Sequence, residues 1–281
     1  MIKLAVIGDP IEHSLSPIVH GAILDQIHVP YEYQKIEVKR GALPQFLEYA
    51  KKEALTGFNL TMPHKKDILP YLDETETEAR RFQAVNTVHQ KSGRFLGYNT
   101  DAAGYTAALA AIGRTFSDKN VVILGAGGVA GTLLKKAFYE GAASVTVLNR
   151  TLSQAEQLCG DAERETGKAA APLSMTYDNL ERVCRTCDIL IQATPLGMQG
   201  VKEDYTDVSF LDALPPDALV SDLIYRPDKT AFLHAAEERR LATMNGLGML
   251  IYQAMLADEI YLERTLDKAA LYPAVCDAVR R

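Results

Sequence analysis

The sequence predicts an α/β protein built from two domains. Strands and helices alternate along most of its 281 residues, and one stretch near the middle has the pattern of a β-α-β unit with glycines at its first turn. The length is sufficient for two modest domains. We expect a first domain of residues 1–101 and 245–281, to which the C-terminal helices return, and a second domain of residues 102–244.

The first hundred residues contain their own alternation of strands and helices. Apolar runs and helical spacing predict strands at 3–8, 31–38 and 57–60, helices at 17–27 and 43–52, and a hairpin of residues 84–90 and 94–98. The hairpin turns at Lys91-Ser92-Gly93, where glycine permits the required backbone conformation.

The β-α-β unit at residues 121–151 carries the most specific signal. A β-branched run, Val121–Leu124, breaks at a glycine turn, and a helix from about Gly128 to Glu140 and a second strand, Ser144–Leu148, follow. The turn has the fingerprint of a Rossmann-type dinucleotide-binding domain, in which a pyrophosphate rests on the helix N-terminus. Its residues are Gly125, Ala126, Gly127, Gly128, Val129 and Ala130.

The end of the second strand indicates which dinucleotide would bind. Asn149, Arg150 and Thr151 stand where an Asp or Glu would accept hydrogen bonds from a ribose 2′-hydroxyl. A cation there suits a 2′-phosphate, so the expected cofactor is NADP.

The rest of the chain completes the two α/β layers. A helix at 102–112, rich in small residues, leads into the glycine-turn unit, which continues through strands at 189–193 and 219–222 with helices between them. After Asn245-Gly246, one long helix runs from Met249 to about Arg264 and a last one from about Leu266 to Arg281.

Composition is that of an ordinary soluble enzyme-sized protein. Hydrophobic residues make up 47%, charged residues 23%, and the net charge of −6 offers no basic field for nucleic acid. No apolar run reaches the roughly 20 residues of a membrane span, and the first residues lead directly into a strand. We therefore expect a cytoplasmic protein without nucleic-acid or membrane partners. A homodimer is left open.

The four cysteines include one closely spaced pair, Cys184 and Cys187. This spacing occurs in redox and zinc sites, but there is no second pair and no nearby His. The pair lies where a helix (179–184) leads into an apolar strand, so buried thiols are the better interpretation. We expect no disulfide and no metal.

Polar residues cluster at the ends of strands in the first domain. They are found at 13–17, 59–65, 86–87 and 99–101. Singly, each has an ordinary explanation, such as Ser14 or Ser16 capping the following helix. Because ligands bind outside the carboxyl ends of strands in an α/β sheet, four such clusters in succession predict one binding crevice.

These motifs, taken together, resemble the shikimate dehydrogenase family over essentially the whole chain. The matching stretches, in order, are Gly8–Ile11, His13–Pro17, His20, Gly57–Lys65, Ala84–Thr87, Gly97–Asp101, Gly125–Gly128, Asn149–Thr151, Ala193–Pro195, Asp222–Pro227, Asn245–Gly246, Met249–Leu250 and Gln253. The resemblance implies reversible, NADP-linked reduction of 3-dehydroshikimate to shikimate, in the route to aromatic amino acids.

The resemblance also implies roles for individual residues. Lys65 and Asp101 match the catalytic pair. The groups that hold the substrate hydroxyls and carboxylate match Ser14, Ser16, Thr61, Asn86, Tyr225 and Gln253, and the nicotinamide side of the cofactor site matches Thr194, Leu223, Gly246 and Met249. A hydride delivered to a ring ketone leaves charge on oxygen, which needs a donor such as Lys65, and Asp101 would orient that donor.

The chain departs from the family pattern at several positions. Gln192 and Gln83 replace the usual Asn and Gly, Gly21 replaces an Asn, and Gln154 stands where a second Arg is frequent. Three alternatives stay open. A quinate or dual-specificity dehydrogenase would keep Lys65 and Asp101, and a catalytically silent paralogue would bind NADP or shikimate without turnover. A folate dehydrogenase-cyclohydrolase fits the motifs less well.

Overall fold

The computed structural model describes residues 1–280, which form two compact units. Unit 1 comprises Met1–Gly104 and the chain from Ile251 onward, and unit 2 comprises Tyr105–Leu250. Each unit contains one six-stranded sheet, so the expected α/β fold class is confirmed. Among the described residues, no helix is both long and apolar enough to cross a membrane.

Unit 1 contains a mixed sheet. Its strands are β1 (Ile2–Gly8), β2 (Tyr31–Glu37), β3 (Gly57–Leu60), β4 (Glu74–Thr75), β5 (Thr87–Lys91) and β6 (Arg94–Tyr98). They lie in the order β2-β1-β3-β5-β6-β4, with β1 parallel to both of its neighbours and β5 antiparallel to both of its own.

Helices cover both faces of this sheet. They are α1 (Ser16–Gln26), α2 (Leu43–Lys52), the short α3 (His64–Asp67) and α4 (Thr77–Phe82), the first residues of α5 (Asp101–Ala111), most of α10 (Leu247–Leu262), and α11 (Lys268–Arg280). One apolar core includes Ile7, Phe46 and Phe58. A second cluster joins Leu4 and Leu24 to Tyr261 of α10, which ties the C-terminal segment to the first strand and helix.

Unit 2 is an all-parallel sheet. Its strands are β7 (Asn120–Leu124), β8 (Ser144–Asn149), β9 (Ala171–Ser174), β10 (Ile189–Gln192), β11 (Leu219–Asp222) and β12 (Ala242–Met244), and its own helices are α6 (Gly128–Tyr139), α7 (Leu152–Thr166), α8 (Tyr177–Cys184) and α9 (Ala231–Glu238). The spatial order β12-β11-β10-β7-β8-β9 is that of the doubly wound dinucleotide fold. The order reverses between β7 and β10, which places the glycine turn at the switch point.

The predicted elements differ from the observed ones mainly at their ends, but the short strands β4, β9 and β12 and the short helices α3 and α4 were not predicted. The first hairpin strand begins at Thr87 and not at Ala84, because Val85 donates its N–H to the carbonyl of Lys65 (2.8 Å) outside the strand ladder. Ser14 and Ser16 do not cap α1: its N-cap is Leu15, without a side-chain capping bond. That alternative explanation for the two serines is wrong.

The four cysteines are free thiols and all are buried. Burial raises the pKa of Cys184 to about 12 and that of Cys187 well above its ordinary value. A thiol with so high a pKa carries almost no thiolate near neutral pH. The interpretation of this pair as buried structural thiols is confirmed.

Candidate active site

Unit 1 brings together the two residues predicted to be catalytic. The ammonium of Lys65, on α3, donates to Oδ2 of Asp101, the first residue of α5, at 2.5 Å. The side chains are 27% and 12% exposed, so a small molecule can reach the ammonium while the carboxylate lies deeper. The pair combines a proton donor with an anion that orients it.

Backbone contacts fix the position of Lys65. The neighbouring His64 is fully buried and its Nε2 lies 2.6 Å from the carbonyl oxygen of Val38. The Lys65 carbonyl accepts the N–H of Val85 at 2.8 Å. The short helix is therefore held from both sides, and the lysine side chain extends from a fixed base.

Asn86 braces the carboxylate of Asp101. Its Nδ2 donates to Oδ1 of Asp101 at 2.8 Å and to the hydroxyl of Thr100 at 2.9 Å, while its Oδ1 accepts the Thr100 N–H at 2.8 Å. Asn86 is only 2% exposed, so these bonds form away from bulk water. Each oxygen of Asp101 thus has a donor, one from Lys65 and one from Asn86.

Gln253 reaches this cluster because α5 and α10 cross closely. Its Oε1 lies 3.4 Å from Nδ2 of Asn86. At the crossing stands Gly104, where a Cβ would lie 2.7 Å from the backbone nitrogen and 2.9 Å from the Cα of Gln253. Only glycine permits this approach.

The predicted substrate-binding residues divide between the units. Ser14, Ser16 and Thr61 belong to unit 1 with Asn86 and Gln253, whereas Tyr225 belongs to unit 2. The hydroxyls of Ser14 and Ser16 lie 3.2 Å apart and both side chains are half-buried, as is Thr61. Neither serine caps a helix; instead the Ser14 hydroxyl donates to that of Ser16 and accepts the Ser16 N–H at 3.3 Å.

The glycine turn of unit 2 opens onto the N-terminus of α6. Gly125 has φ +107° and its N–H donates to the carbonyl of Leu148 at 2.7 Å, so the turn requires a glycine. Gly127, the N-cap, and Gly128 are exposed, and a Cβ on either would meet nothing within 4 Å. Neither a capping side chain nor an acidic residue occupies the first turn. Its N–H groups can therefore receive an anion.

The end of β8 places Arg150 in the open. Its side chain is 87% exposed, and Nη1 lies 3.5 Å from Oε2 of Glu203. Gln154 is bound to Asn149, whose Nδ2 donates to its Oε1 at 2.9 Å, and the same Nδ2 donates to the Thr151 carbonyl at 3.0 Å. Arg150 is thus the cation that this strand end presents.

The loop after β10 is held by Gln192, one of the departures from the family pattern. Its side chain is fully buried, its Oε1 accepts the Thr194 N–H at 2.5 Å, and its Nε2 donates to the carbonyls of Thr194 and Leu196 at 3.0 and 3.1 Å. Both the oxygen and the nitrogen of the Gln192 amide therefore bind the backbone of this loop, which fixes the position of Thr194.

The neighbouring strand ends complete the predicted nicotinamide side. Leu223 donates its N–H to the Gln192 carbonyl at 2.9 Å, and Gly246 donates to the carbonyl of Ile224 at 3.0 Å. Asp222 receives the N–H of Ile224 at 2.9 Å, and burial raises its pKa to about 6. The structure thus brings Leu223 and Gly246 together with the Thr194 loop, and Met249, in the first turn of α10, is half-buried.

Comparison with known proteins places these two units in one family. The family description "Shikimate dehydrogenase substrate binding domain" matches residues 6–88, and "Shikimate / quinate 5-dehydrogenase" matches residues 107–204. A curated shikimate dehydrogenase (NADP(+)) of Alkaliphilus metalliredigens is 39% identical over 259 residues, which cover 92% of this chain and 90% of the relative. The chain belongs to the shikimate dehydrogenase family.

Solved structures agree with this membership. A crystal structure of a shikimate dehydrogenase in complex with NADP+ has a TM-score of 0.89 at 35% identity, covering 99% of this chain and 96% of its own. A ligand-free 5-ketofructose reductase of Gluconobacter has a TM-score of 0.87 at 30% identity, with 98% of each chain covered. The shikimate dehydrogenase fold is therefore shared by a reductase of another substrate, and side chains must decide between them.

The structure also places residues that the sequence did not single out. Thr100 binds both atoms of the Asn86 amide, and Glu203 lies against Arg150. In the sequence, Thr100 was recognised only as part of the polar cluster at 99–101. Glu203 is 53 positions beyond Arg150 and lies in a segment without regular structure, so the sequence contains no signal for this contact.

Proposed function

We propose that this protein is an NADP-dependent shikimate dehydrogenase that reversibly reduces 3-dehydroshikimate to shikimate in the route to aromatic amino acids. The observation that carries the proposal is the Lys65–Asp101 pair at 2.5 Å, with Asn86 donating to the second carboxylate oxygen. The curated relative at 39% identity supports the same activity. The 5-ketofructose reductase, at 30%, shares the fold.

Lys65 supplies the proton chemistry. During reduction, negative charge develops on the ketone oxygen as hydride arrives at the carbon, and the ammonium donates a hydrogen bond and then a proton to that oxygen. In the oxidative direction the nitrogen takes the proton back from the hydroxyl. Asp101 orients the ammonium and offsets its charge.

Polar side chains of unit 1 recognise the substrate. Ser14, Ser16 and Thr61 offer hydroxyls, and Gln253 offers an amide, to the hydroxyls and carboxylate of a polyhydroxylated acid. A ligand lacking one hydroxyl would leave a half-buried partner without a hydrogen bond, which disfavours its binding. We assign Tyr225, from unit 2, to the same task on the strength of the family resemblance.

The cofactor site fits NADP. The uncapped first turn of α6 and the open space at Gly127 and Gly128 suit a pyrophosphate, and Arg150 suits a 2′-phosphate. Thr194, Leu223, Gly246 and Met249 would face the nicotinamide. When bound, the reduced cofactor NADPH would supply the hydride for reduction, and NADP+ would accept it in the reverse reaction.

Initial rates test the proposal directly. Shikimate and quinate are each assayed with NADP and with NAD, four combinations in all. The proposal expects the highest kcat/KM for shikimate with NADP. A quinate preference would establish the dual-specificity alternative, and ligand binding without turnover would establish the silent paralogue. Faster turnover with NAD than with NADP would overturn the cofactor assignment.

We further propose a cytoplasmic enzyme that acts without nucleic acid. The four free, buried cysteines suit a reducing compartment. The net charge of −6 does not favour polyanions. A homodimer stays a proposal that sedimentation at several protein concentrations tests.

A further inference from the structure

A row of buried hydrogen bonds leads from β2 to the catalytic carboxylate. The Tyr33 hydroxyl donates to Oδ1 of Asn59 at 2.7 Å, and Nδ2 of Asn59 donates to the hydroxyl of Thr87 at 3.2 Å. Thr87 donates to Oδ1 of Asn86 at 3.0 Å, whose Nδ2 donates to Asp101 at 2.8 Å. The three intermediate side chains are each no more than 6% exposed.

The row has one direction. Nδ2 of Asn59 also faces the carbonyl oxygen of Asn86 at 3.4 Å, and Oδ1 of Asn86 faces the N–H of Thr100 at 2.8 Å. These backbone groups fix which atom of each amide points which way. Every residue in the row therefore donates toward Asp101, and aligned hydrogen bonds of this kind polarise one another.

Tyr33 supplies the first proton of the row. Burial raises the pKa of its phenol well above the ordinary value, and the nearby Asp258 carboxylate acts in the same direction, so the hydroxyl stays protonated. Its ring stacks on the His20 imidazole with centroids 4.9 Å apart. His20 is in turn held by Asp258 at 2.7 Å, and both of these side chains are fully buried.

We propose that Tyr33 is a positioning residue for Asp101, acting through Asn59, Thr87 and Asn86, with the buried His20–Asp258 pair bracing its ring. The inference rests on the proposed function, because positioning matters only if Asp101 serves the reaction. Without the Tyr33 donor, the Asn59 amide is held only through its Nδ2, by the Asn86 carbonyl and the Thr87 hydroxyl. The restraint that Thr87 places on Asn86 is then weakened.

The test compares two tyrosines of the same strand. Tyr33→Phe removes the first donor and keeps the ring on His20. Tyr31→Phe is the matched control, because the hydroxyl of Tyr31 lies over Gly21 and beside Asp25, outside the row.

Because the Tyr33 phenol also interacts with the Ser16 side chain, the quantity compared is kcat at saturating shikimate, which we expect Tyr33→Phe to lower by about 3- to 10-fold, the range of one neutral hydrogen bond. The Thr100 N–H still holds Asn86, which keeps the loss modest. KM for NADP should not change, and Tyr31→Phe should match the wild type. Equal effects of the two variants would overturn the inference.

A double-mutant cycle separates positioning from independent structural effects. Thr87→Val interrupts the same row at a later point. If the row acts as one unit, Tyr33→Phe adds less than about 2-fold in that background. If the loss of activity in the double variant equals the product of the losses in Tyr33→Phe and Thr87→Val, the inference is overturned.

Side-chain amide NMR signals give a readout that does not depend on turnover. Tyr33→Phe should shift the NH₂ signals of both Asn59 and Asn86, whereas Tyr31→Phe should shift neither. Unchanged Asn86 signals would refute the row even in an active enzyme. If the wild type fails to oxidise shikimate while the Asn86 signals shift, the proposed function fails and the row stands.

Discussion

Replacement of Lys65 by methionine is the sharpest test of the proposed chemistry. Methionine keeps an unbranched side chain of similar length and removes only the charge and the donor. Asp101 then loses its 2.5 Å partner but keeps the Asn86 donor at 2.8 Å, so the carboxylate is not left alone. With the lysine side chain 27% exposed, water can also reach the site.

Two magnitudes follow from this geometry. Loss of one charge-assisted hydrogen bond at a partly exposed site should lower the free energy of unfolding by about 1–2 kcal/mol. Loss of a positioned proton donor should lower kcat by about 10²–10⁴-fold, equivalent to about 2.7–5.4 kcal/mol in the barrier. KM for shikimate should change much less, because the remaining polar contacts are retained.

The assay follows NADPH formation from shikimate at saturating NADP. Lys66→Met is the control, because Lys66 is the exposed neighbour in the same short helix. It should keep wild-type kcat, and urea unfolding of both variants shows that each is folded. Near-normal turnover of folded Lys65→Met would refute the assignment of Lys65 as proton donor.

Three further predictions concern unit 2. Arg150→Ala should raise KM for NADP by about 10-fold and leave KM for NAD unchanged, since one charged clamp is lost; a retained NADP preference would contradict this. The Glu203 carboxylate, 3.5 Å from that guanidinium, would compete with the 2′-phosphate for Arg150. Glu203→Gln should therefore lower KM for NADP by about 2- to 3-fold, and a higher KM would contradict this. Burial raises the pKa of Asp222 from 3.8 to about 6, so the folded protein binds a proton that the unfolded chain has released. The free energy of unfolding of the wild type, measured relative to that of Asp222→Asn, should therefore fall by up to about 3 kcal/mol as pH rises from 4 to 7. A difference between the two proteins that stays the same across that pH range in urea denaturation would refute this.

Long periodic segments and glycine turns could be predicted from the sequence because local rules determine them. The helix Leu43–Lys52 and the strands Gly57–Leu60 and Leu219–Asp222 have the predicted bounds. An apolar run bounded by turn residues leaves little choice of register. The glycine turn was recognisable because Gly125 has a conformation that other residues rarely adopt.

Short elements and distant contacts could not be predicted in the same way. The helix His64–Asp67 is a single turn that depends on contacts of His64 with Val38 and of Lys65 with Val85. The Asn86–Gln253 contact joins residues 167 positions apart. Nothing local encodes such pairs, because tertiary packing selects them.

The division of unit 1 into two sequence segments affects the order in which the protein can fold during synthesis. All six strands of unit 2 lie before residue 245, whereas Gln253 and Asp258 come after them. A nascent chain that ends near residue 250 can therefore already bury the core of the parallel sheet. Until the ribosome has added α10, His20 lacks the carboxylate that it contacts at 2.7 Å in the finished fold, and the Asn86 cluster lacks its glutamine. Unit 1, whose first residues are synthesised before any of unit 2, is thus the unit that is completed last.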